Sequence, residues 1–364
     1  MIKLTVDLEN HSSHAYDICI GRGILDRIAL LTSRGAANRY IVISDSHVSP
    51  LYGESLLSLL RNLGEKADLI TFPAGESSKN MDTVLAIITR MIELGADRGT
   101  ELIALGGGVT GDMVAFIASI YMRSVTYVQI PTTLMAQVDS CIGGKTGIDL
   151  AAGKNLLGTF YQPRETFIDL RFLDTLPEED FLNGMAEVIK YAVIDDLNLL
   201  DLLERHAGRV RERDPEVLTE IVQRSCSIKK GIVEIDEKDR GLRRILNFGH
   251  TIGHAIEAES DYDIPHGNAL TPGMIAAARI SEKHGYLASE ERERMTHLIQ
   301  LTGLPSSIPA RISTDGVLSR IRHDKKKEGD TVHFVLLKKL GMPFMNGAVD
   351  EKLIREIIEE LKQR

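Results

Sequence analysis

The chain has 364 residues, 43% hydrophobic and 26% charged, with a formal net charge of −9. That length suits two domains, or one large α/β domain with an extension, and can bury a substantial core. The acidic balance speaks against bulk nucleic-acid binding, no apolar run approaches a membrane span, and the start lacks a signal-peptide layout, so the expected place is the cytoplasm. The opening Met1 to Val6 alternates as a strand does. Tyr40 to Ser44 reads as a buried strand, Tyr52 to Leu63 as an amphipathic helix, Ala67 to Phe72 as a strand and Met81 to Leu94 as a helix. Glu101 to Leu105 and Thr126 to Ile130 are two further strands, each ended by Gly or Pro. Strands alternating with helices predict a mainly parallel, doubly wound, Rossmann-like α/β sheet. The pattern changes near Leu176-Pro177. Beyond it Phe181 to Val193, Leu197 to Ala207, Pro215 to Ile235, His250 to Ala258, Leu270 to His284, Glu291 to Thr302, Thr314 to Arg322 and Glu351 to Lys362 all carry helical periodicity. Thr331 to Leu337 is the exception, a strand or hairpin. The reading is an α/β domain over residues 1–176 and a mainly α-helical domain over 177–364, with the active site in the cleft between them. Cys19, Cys141 and Cys226 are far apart and odd in number, and read as small packing residues in a reducing compartment.

Gly106-Gly107-Gly108-Val109-Thr110-Gly111-Asp112 follows a strand and opens an apolar helix. Glycines let backbone N–H groups approach a phosphate, and a helix N-terminus favours its charge. The letters satisfy G-x-G-x-x-G, a weak signal alone, and the usual acid about twenty positions on is missing. Asp45, ending an earlier strand, would serve the ribose hydroxyls of an adenosine if its strand neighbours the glycine loop. Its bland role is to cap the helix after it. A dinucleotide in a non-standard Rossmann arrangement is the expectation. Gly143-Gly144-Lys145-Thr146 is not a P-loop, because Asp139 stands where that motif needs glycine. Lys145 and Lys154 read instead as loop-borne ammonium groups for an anionic ligand, against the bland role of solubilising lysines.

Three histidines stand in Leu246 to His254 and Ile264-Pro265-His266-Gly267. His250 and His254 are four apart, so they share a helix face, and His266 folds back from a loop in this reading. Imidazole is the commonest ligand for zinc-like metals. Glu187 and Lys190, three apart among apolar neighbours, predict a half-buried face rather than a surface ion pair. Glu187 with two or three of the histidines would make a catalytic metal set. A metzincin reading fails because Thr251, not Glu, follows His250.

Ordered blocks extend these signals: Pro73 to Lys79, Gly106 to Asp112, Tyr121-Met122-Arg123, Pro131 to Ser140, Gly143 to Thr146, Gly153-Lys154-Asn155, Ala186 to Tyr191, Leu246 to His254, His266-Gly267 and Asp324-Lys325-Lys326. With them the chain resembles the 3-dehydroquinate synthase family, a branch of the sugar-phosphate cyclases, over nearly its whole length. The resemblance implies a homodimer that binds NAD and a divalent metal, zinc or alternatively cobalt. It implies conversion of 3-deoxy-D-arabino-heptulosonate 7-phosphate to 3-dehydroquinate and phosphate. The family's sequence is oxidation at carbon 5, phosphate β-elimination with the phosphate as its own base, reduction, ring opening and aldol closure. By position it implies Glu187, His250 and His266 as metal ligands, with His254 behind them near the substrate. Asp139, Lys145, Asn155 and Lys190 join His254 as catalytic positions, and Arg123, Lys154, Lys229, Arg243, Asn247 and Lys325 or Lys326 as substrate contacts. Asp45, Glu76, Lys79, Gly107, Gly108, Val109, Asp112, Thr132, Thr133, Phe172, Thr175 and Leu176 fall on its NAD contacts.

Two positions depart from the family pattern. Asn268 stands where Glu usually follows His-Gly, which bears on how His266 is oriented. His47 replaces the family's usual Asn or similar residue near Asp45, at the cofactor rim. The rival readings are another sugar-phosphate cyclase and a metal-dependent polyol dehydrogenase of related fold, which would accumulate NADH.

Overall fold

A computed structural model describes residues 1–7, 15–27, 37–327, 333–347 and 349–362, without the side chains at 26 and 323–327. The chain divides into two compact units, Met1–Pro177 with Lys229–Lys238 and Glu178–Ile228 with Asp239–Arg364.

The first unit is built on a seven-stranded sheet of β1 (Ile2–Val6), β2 (Tyr16–Gly21), β3 (Arg39–Asp45), β4 (Ala67–Phe72), β5 (Thr100–Gly106), β6 (Tyr127–Pro131) and β9 (Glu165–Asp169). Its order is β1-β2-β9-β6-β5-β3-β4. Every pair is parallel except β1 with β2. A separate antiparallel hairpin joins β7 (Ile148–Leu150) to β8 (Gly153–Leu157). Strands β3, β5 and β6 are buried on both faces because helices cover both. Ile41, Ile43, Leu102 and Ala104 pack with Val84, Ile87 and Met91 of α2 (Met81–Glu93) and with Met113 to Ala118 of α3 (Gly108–Ile120). Tyr40, Val42, Ile103 and Leu105 turn to the other face, against Leu56, Leu57 and Leu60 of α1 (Glu54–Asn62). Each such side chain, fully buried, contributes about 1.5–3 kcal/mol before the entropy of ordering it is subtracted.

Strand β2, the β7–β8 hairpin and a short helix over Ala207–Arg211 lie where no element was expected, and two further elements differ from the expected ones. Helix α1 begins at Glu54 rather than Tyr52, because a π-helical turn over Ser49–Gly53 comes first. Strand β9 escaped the pattern because its polar residues are buried: Glu165 accepts from the Cys19 thiol, and Asp169 accepts from the backbone N–H of Gly23 and Arg171. Polar groups satisfied in this way do not mark a strand by periodicity. All three cysteines are buried.

The second unit is mainly helical: α4 (Glu178–Ile194), α5 (Leu197–Arg205), α6 (Ala207–Arg211), α7 (Pro215–Ile235), α8 (His250–Glu259), α9 (His266–Lys283), α10 (Ser289–Thr302), α11 (Thr314–Lys327) and α12 (Glu351–Leu361). The end of α7, from Lys229 on, groups with the first unit. Strands β10 (Phe334–Lys339) and β11 (Met342–Asn346) pair as a hairpin; the expected strand began at residues 331 and 332, outside the described range. Among the described residues no helix is long and apolar enough to cross a membrane.

Close approach of α8 and α9 depends on glycine. Gly249 has φ +81°, and a Cβ there would lie 2.8 Å from the backbone nitrogen of Met274. A Cβ on Gly273 would stand 2.3 Å from the Gly249 carbonyl oxygen. Only residues without side chains let the two backbones meet this closely.

Candidate functional site

In the second unit three helices converge on one carboxylate. Glu187 lies on α4, His250 opens α8, and His266 opens α9. The expected loop position of His266 is therefore corrected: α9 starts four residues before the predicted Leu270. Pro265 offers no side-chain cap, and Asn183 on α4 supplies one by accepting the Gly267 backbone N–H through Oδ1. His-Gly-Asn is a poor helix start by propensity, and this tertiary contact overrides it.

Each imidazole is oriented by an acceptor on its far side. His250 Nδ1 donates to the Phe248 carbonyl at 3.2 Å, and His266 Nδ1 donates to Glu257 Oε1 at 2.7 Å. Carbonyl and carboxylate oxygens only accept, so each Nδ1 carries the hydrogen and each Nε2 faces inward. Both Nε2 atoms point at Glu187 Oε1, at 3.4 Å for His250 and 3.0 Å for His266. The other Glu187 oxygen pairs with Lys190, and both residues are 2% exposed, so their face is buried rather than half buried. A buried ion pair survives only when its charges are compensated. Burial alone would raise the Glu187 carboxyl, but Lys190 and then the two imidazoles hold it well below the usual carboxylate range. Burial alone would lower His266, yet Glu187 and Glu257 push it up to about 10. Burial wins at His250, which is lowered despite Glu187. His254 is solvent-exposed, with its ring centroid 5.0 Å from that of His250 and 5.8 Å from that of His266. The protein packed round it and then His250 push it down, leaving it neutral.

One oxygen of Glu187 and one nitrogen each of His250 and His266 lie within 4.8 Å of one another, as do atoms of His254, Glu257 and His266. Two imidazoles and a carboxylate form a donor set suited to zinc or cobalt, with room for a substrate oxygen as a further ligand. The chemistry of the donors therefore fits a divalent metal.

In the first unit the expected cofactor residues gather at the carboxyl ends of the parallel strands. From β3 the chain runs outward to β4, then crosses to β5 on the other side of β3 and continues outward to β6. That reversal is the place where doubly wound sheets bind ligands. Strand β3, with Asp45 as its last residue, does neighbour β5, whose last residue opens the glycine loop. Asp45 Oδ1 accepts the backbone N–H of His47 and of Val48, and Oδ2 accepts from Thr110 at 3.4 Å. Its capping role is thus present, and exchange of the residue-47 side chain leaves that backbone bond intact. Gly107 caps α3, Gly108 and Val109 begin it, and Asp112 lies in its second turn. A Cβ on Gly106 would lie 2.3 Å from Thr110 Oγ1, so the loop is tight as well as permissive. Thr132 follows β6, its backbone N–H bonding the Gly106 carbonyl. Its hydroxyl is buried without a partner, and Thr133 comes next. An orphan hydroxyl beside the glycine loop fits a polar cofactor held there. Phe172 and Leu176 are buried beyond β9, and Tyr52 stacks edge-on against Phe172 and bonds Thr175.

Lys79 is 4% exposed and binds Asp112 Oδ2 and Asn155 Oδ1, each at 2.6 Å. Burial alone would lower its ammonium, but Asp112 and Glu76 hold it above the ordinary range. Asn155 sits at φ 54° on the β7–β8 hairpin, pinned by Asp149, while Lys154 lies 3.8 Å from Glu76. Lys229 Nζ reaches both the carbonyl and the carboxylate of Asp139, at 2.7 and 2.8 Å. Lys145 is exposed. Arg123 lies in a run of three positive φ values, Met122 to Ser124, a conformation that non-glycine residues adopt only under constraint. In the second unit Arg243 is buried and Asn247 exposed, both on the 3-10 turn Leu242–Asn247. Lys325 and Lys326 lie on α11, with side chains outside the described range.

Sequence reasoning missed Glu257, Asn183 and the Phe248 carbonyl. Glu257 had a signal: it lies seven after His250 and three after His254, on their face of α8. The acceptor for His266 Nδ1 is this residue, not position 268 where the family departure falls.

Models of the 3-dehydroquinate synthase N-terminal and C-terminal families match residues 69–183 and 184–327. A 3-dehydroquinate synthase of Acidithiobacillus ferrooxidans is 43% identical over 360 residues, covering 99% of this chain and 98% of that protein. A solved 2-deoxy-scyllo-inosose synthase, complexed with carbaglucose-6-phosphate, NAD+ and Co2+, matches with TM-score 0.90 at 28% identity, over 99% of this chain and 100% of its own. A 2-epi-5-epi-valiolone synthase from Streptomyces hygroscopicus subsp. jinggangensis, with NAD+ and Zn2+ bound, matches with TM-score 0.89 at 30% identity, over 96% of this chain and 98% of its own.

Proposed function

Because the chain belongs to the 3-dehydroquinate synthase family, we propose that it converts 3-deoxy-D-arabino-heptulosonate 7-phosphate to 3-dehydroquinate and inorganic phosphate, in the shikimate route to aromatic amino acids. It acts as a phosphate-eliminating carbon–oxygen lyase. The observation that carries this reading is the convergence of Glu187, His250 and His266, with both Nε2 atoms turned toward one carboxylate oxygen.

When bound, NAD supplies a reversible hydride acceptor, and a divalent metal, zinc or cobalt, supplies a Lewis acid at the oxygen attached to the carbon being oxidised. Glu187, His250 and His266 would hold the metal. Asp45, Glu76, Lys79, Asp112, Thr132, Thr133, Phe172, Thr175, Leu176 and the N-terminus of α3 would hold NAD, the helix end favouring its phosphates. Lys145, Lys154, Lys190, Lys229, Arg123, Arg243, Asn247 and a lysine of the 325–326 pair would bind the substrate's carboxylate and phosphate and stabilise the charge on the departing phosphate. Asp139 positions Lys229, and Asn155 positions Lys79, through the bonds described above. His254, solvent-exposed beside the metal set, would meet the substrate and relay a proton there. A dimer of identical chains, working in the cytoplasm, completes the proposal. Exposed Ile120, Met122, Leu156, Leu157 and Phe160 in the first unit support self-association.

The test supplies purified protein with the heptulosonate phosphate, catalytic NAD and zinc, and assays phosphate and dehydroquinate. Both products are expected together. A filled metal site with no phosphate release contradicts the proposal.

A further inference from the structure

We propose that Glu257 is a positioning residue that selects which nitrogen of His266 faces the metal, and thereby which of two overlapping donor groups is the metal site. This rests on the metal-dependent reading above. The two groups, Glu187-His250-His266 and His254-Glu257-His266, share His266 and both have the donor chemistry of a zinc site. Composition alone does not decide between them.

The hydrogen bonds decide. Glu257 is 6% exposed, and its Oε1 takes the Nδ1 hydrogen of His266 at 2.7 Å. With that hydrogen bond in place Nδ1 is not available to a metal, and the nitrogen left for coordination is Nε2, on the Glu187 side at 3.0 Å. His250 repeats the arrangement with a backbone carbonyl in the part of Glu257. Asn183 adds a second restraint. It lies one turn before Glu187 on α4 and anchors the Gly267 N–H, so the residue that fixes the start of α9 and the residue that receives the imidazole share a helix face. His266 is held through its backbone by Asn183 and through its ring by Glu257, leaving Nε2 directed at Glu187 Oε1. Partners of this kind raise ligand basicity and reduce the ordering needed on metal uptake, and their loss typically costs about 10–100-fold in metal affinity.

The experiment measures Zn2+ and Co2+ affinity of the chelator-stripped full chain by competition, for wild type, Glu257→Ala, Glu257→Gln, His254→Ala and His250→Ala. Circular dichroism and melting of the metal-free proteins are followed in parallel. Glu257→Ala is expected to weaken binding by about 10–100-fold. Glu257→Gln, whose amide oxygen still accepts from Nδ1, is expected to recover most of the loss, with the Co2+ visible spectrum of wild type. His254→Ala should stay within about threefold of wild type, a residual effect smaller than loss of an oriented ligand. Wild-type affinity in a folded Glu257→Ala protein overturns the inference. So does a Glu257→Gln variant as weak as Ala with an altered Co2+ spectrum, which would make Glu257 itself a ligand, or a His254→Ala loss matching that of His250→Ala. Failure of wild type to bind either metal strikes instead at the metal-dependent reading.

Discussion

The two units build their parts of the chemistry by different means. In the first, the candidate cofactor residues gather beyond the carboxyl ends of parallel strands, and backbone shape does much of the positioning, at the tight loop of Gly106, at the left-handed Asn155 of the β7–β8 hairpin and in the constrained run around Arg123 before β6. In the second, the candidate ligands sit on three packed helices, and each side chain is fixed by another side chain or carbonyl. Sites on turns tolerate adjustment, whereas sites on packed helices fail together when one contact goes. A site of the first kind should lose function in degrees, and one of the second kind abruptly.

The largest effect tests the abrupt side. His250→Ala should lower turnover by about a thousandfold or more, as expected for loss of the ion acting as Lewis acid. Metal analysis of the variant should show the site depleted, and full occupancy with that loss of rate would break the contrast. Gly249→Ala comes next. It places a Cβ at φ +81° against Met274, a strain of about 1–3 kcal/mol, and should lower both the melting temperature and the metal affinity, since the same contact aligns α8 with α9. On the graded side, Lys79→Met leaves Asp112 and Asn155 without their shared ammonium. It should raise the KM for NAD by about tenfold, the loss of one charged hydrogen bond, while metal content stays unchanged.

Proton release sharpens the comparison further. His266 is raised to about 10 from an ordinary 6.5, so at neutral pH the metal-free protein holds a proton on both ring nitrogens, and a metal must displace the one on Nε2. Metal uptake should therefore release about one proton at pH 7, and affinity should fall as the pH is lowered. Indicator-dye titration measures both, and uptake without proton release contradicts a doubly protonated His266 in the metal-free protein. The smallest effect is expected from Asn268→Glu, which restores the family's usual residue. Because Glu257 already binds Nδ1, metal affinity should shift by less than about threefold, well under the effect of removing an orienting partner.

Much of this was legible in the chain. Strands β3, β5 and β6 announced themselves because both faces are buried, and the glycine loop because a strand precedes it and an apolar helix comes after it. Helical spacing drew attention to His250 and His254, yet the inward-facing pair is His250 and His266, on different helices. Spacing within one helix shows which residues share a face, not which face another helix will cover. That depends on Gly249 meeting Gly273 and on Asn183 capping α9, contacts between positions far apart in sequence. Strand β9 and the ring partner Glu257 were hidden for one shared reason: buried polar groups look like surface residues until their partners are known.

In the proposed reaction NAD would serve as a bound catalyst, returned at each turnover. The most direct measurement gives the metal-loaded protein one equivalent of NAD and excess heptulosonate phosphate, then counts phosphate released while following the nicotinamide absorbance. Many phosphates per NAD are expected, with no net accumulation of NADH. A single phosphate per NAD, or NADH accumulating in step with substrate consumed, would contradict it and favour a dehydrogenase.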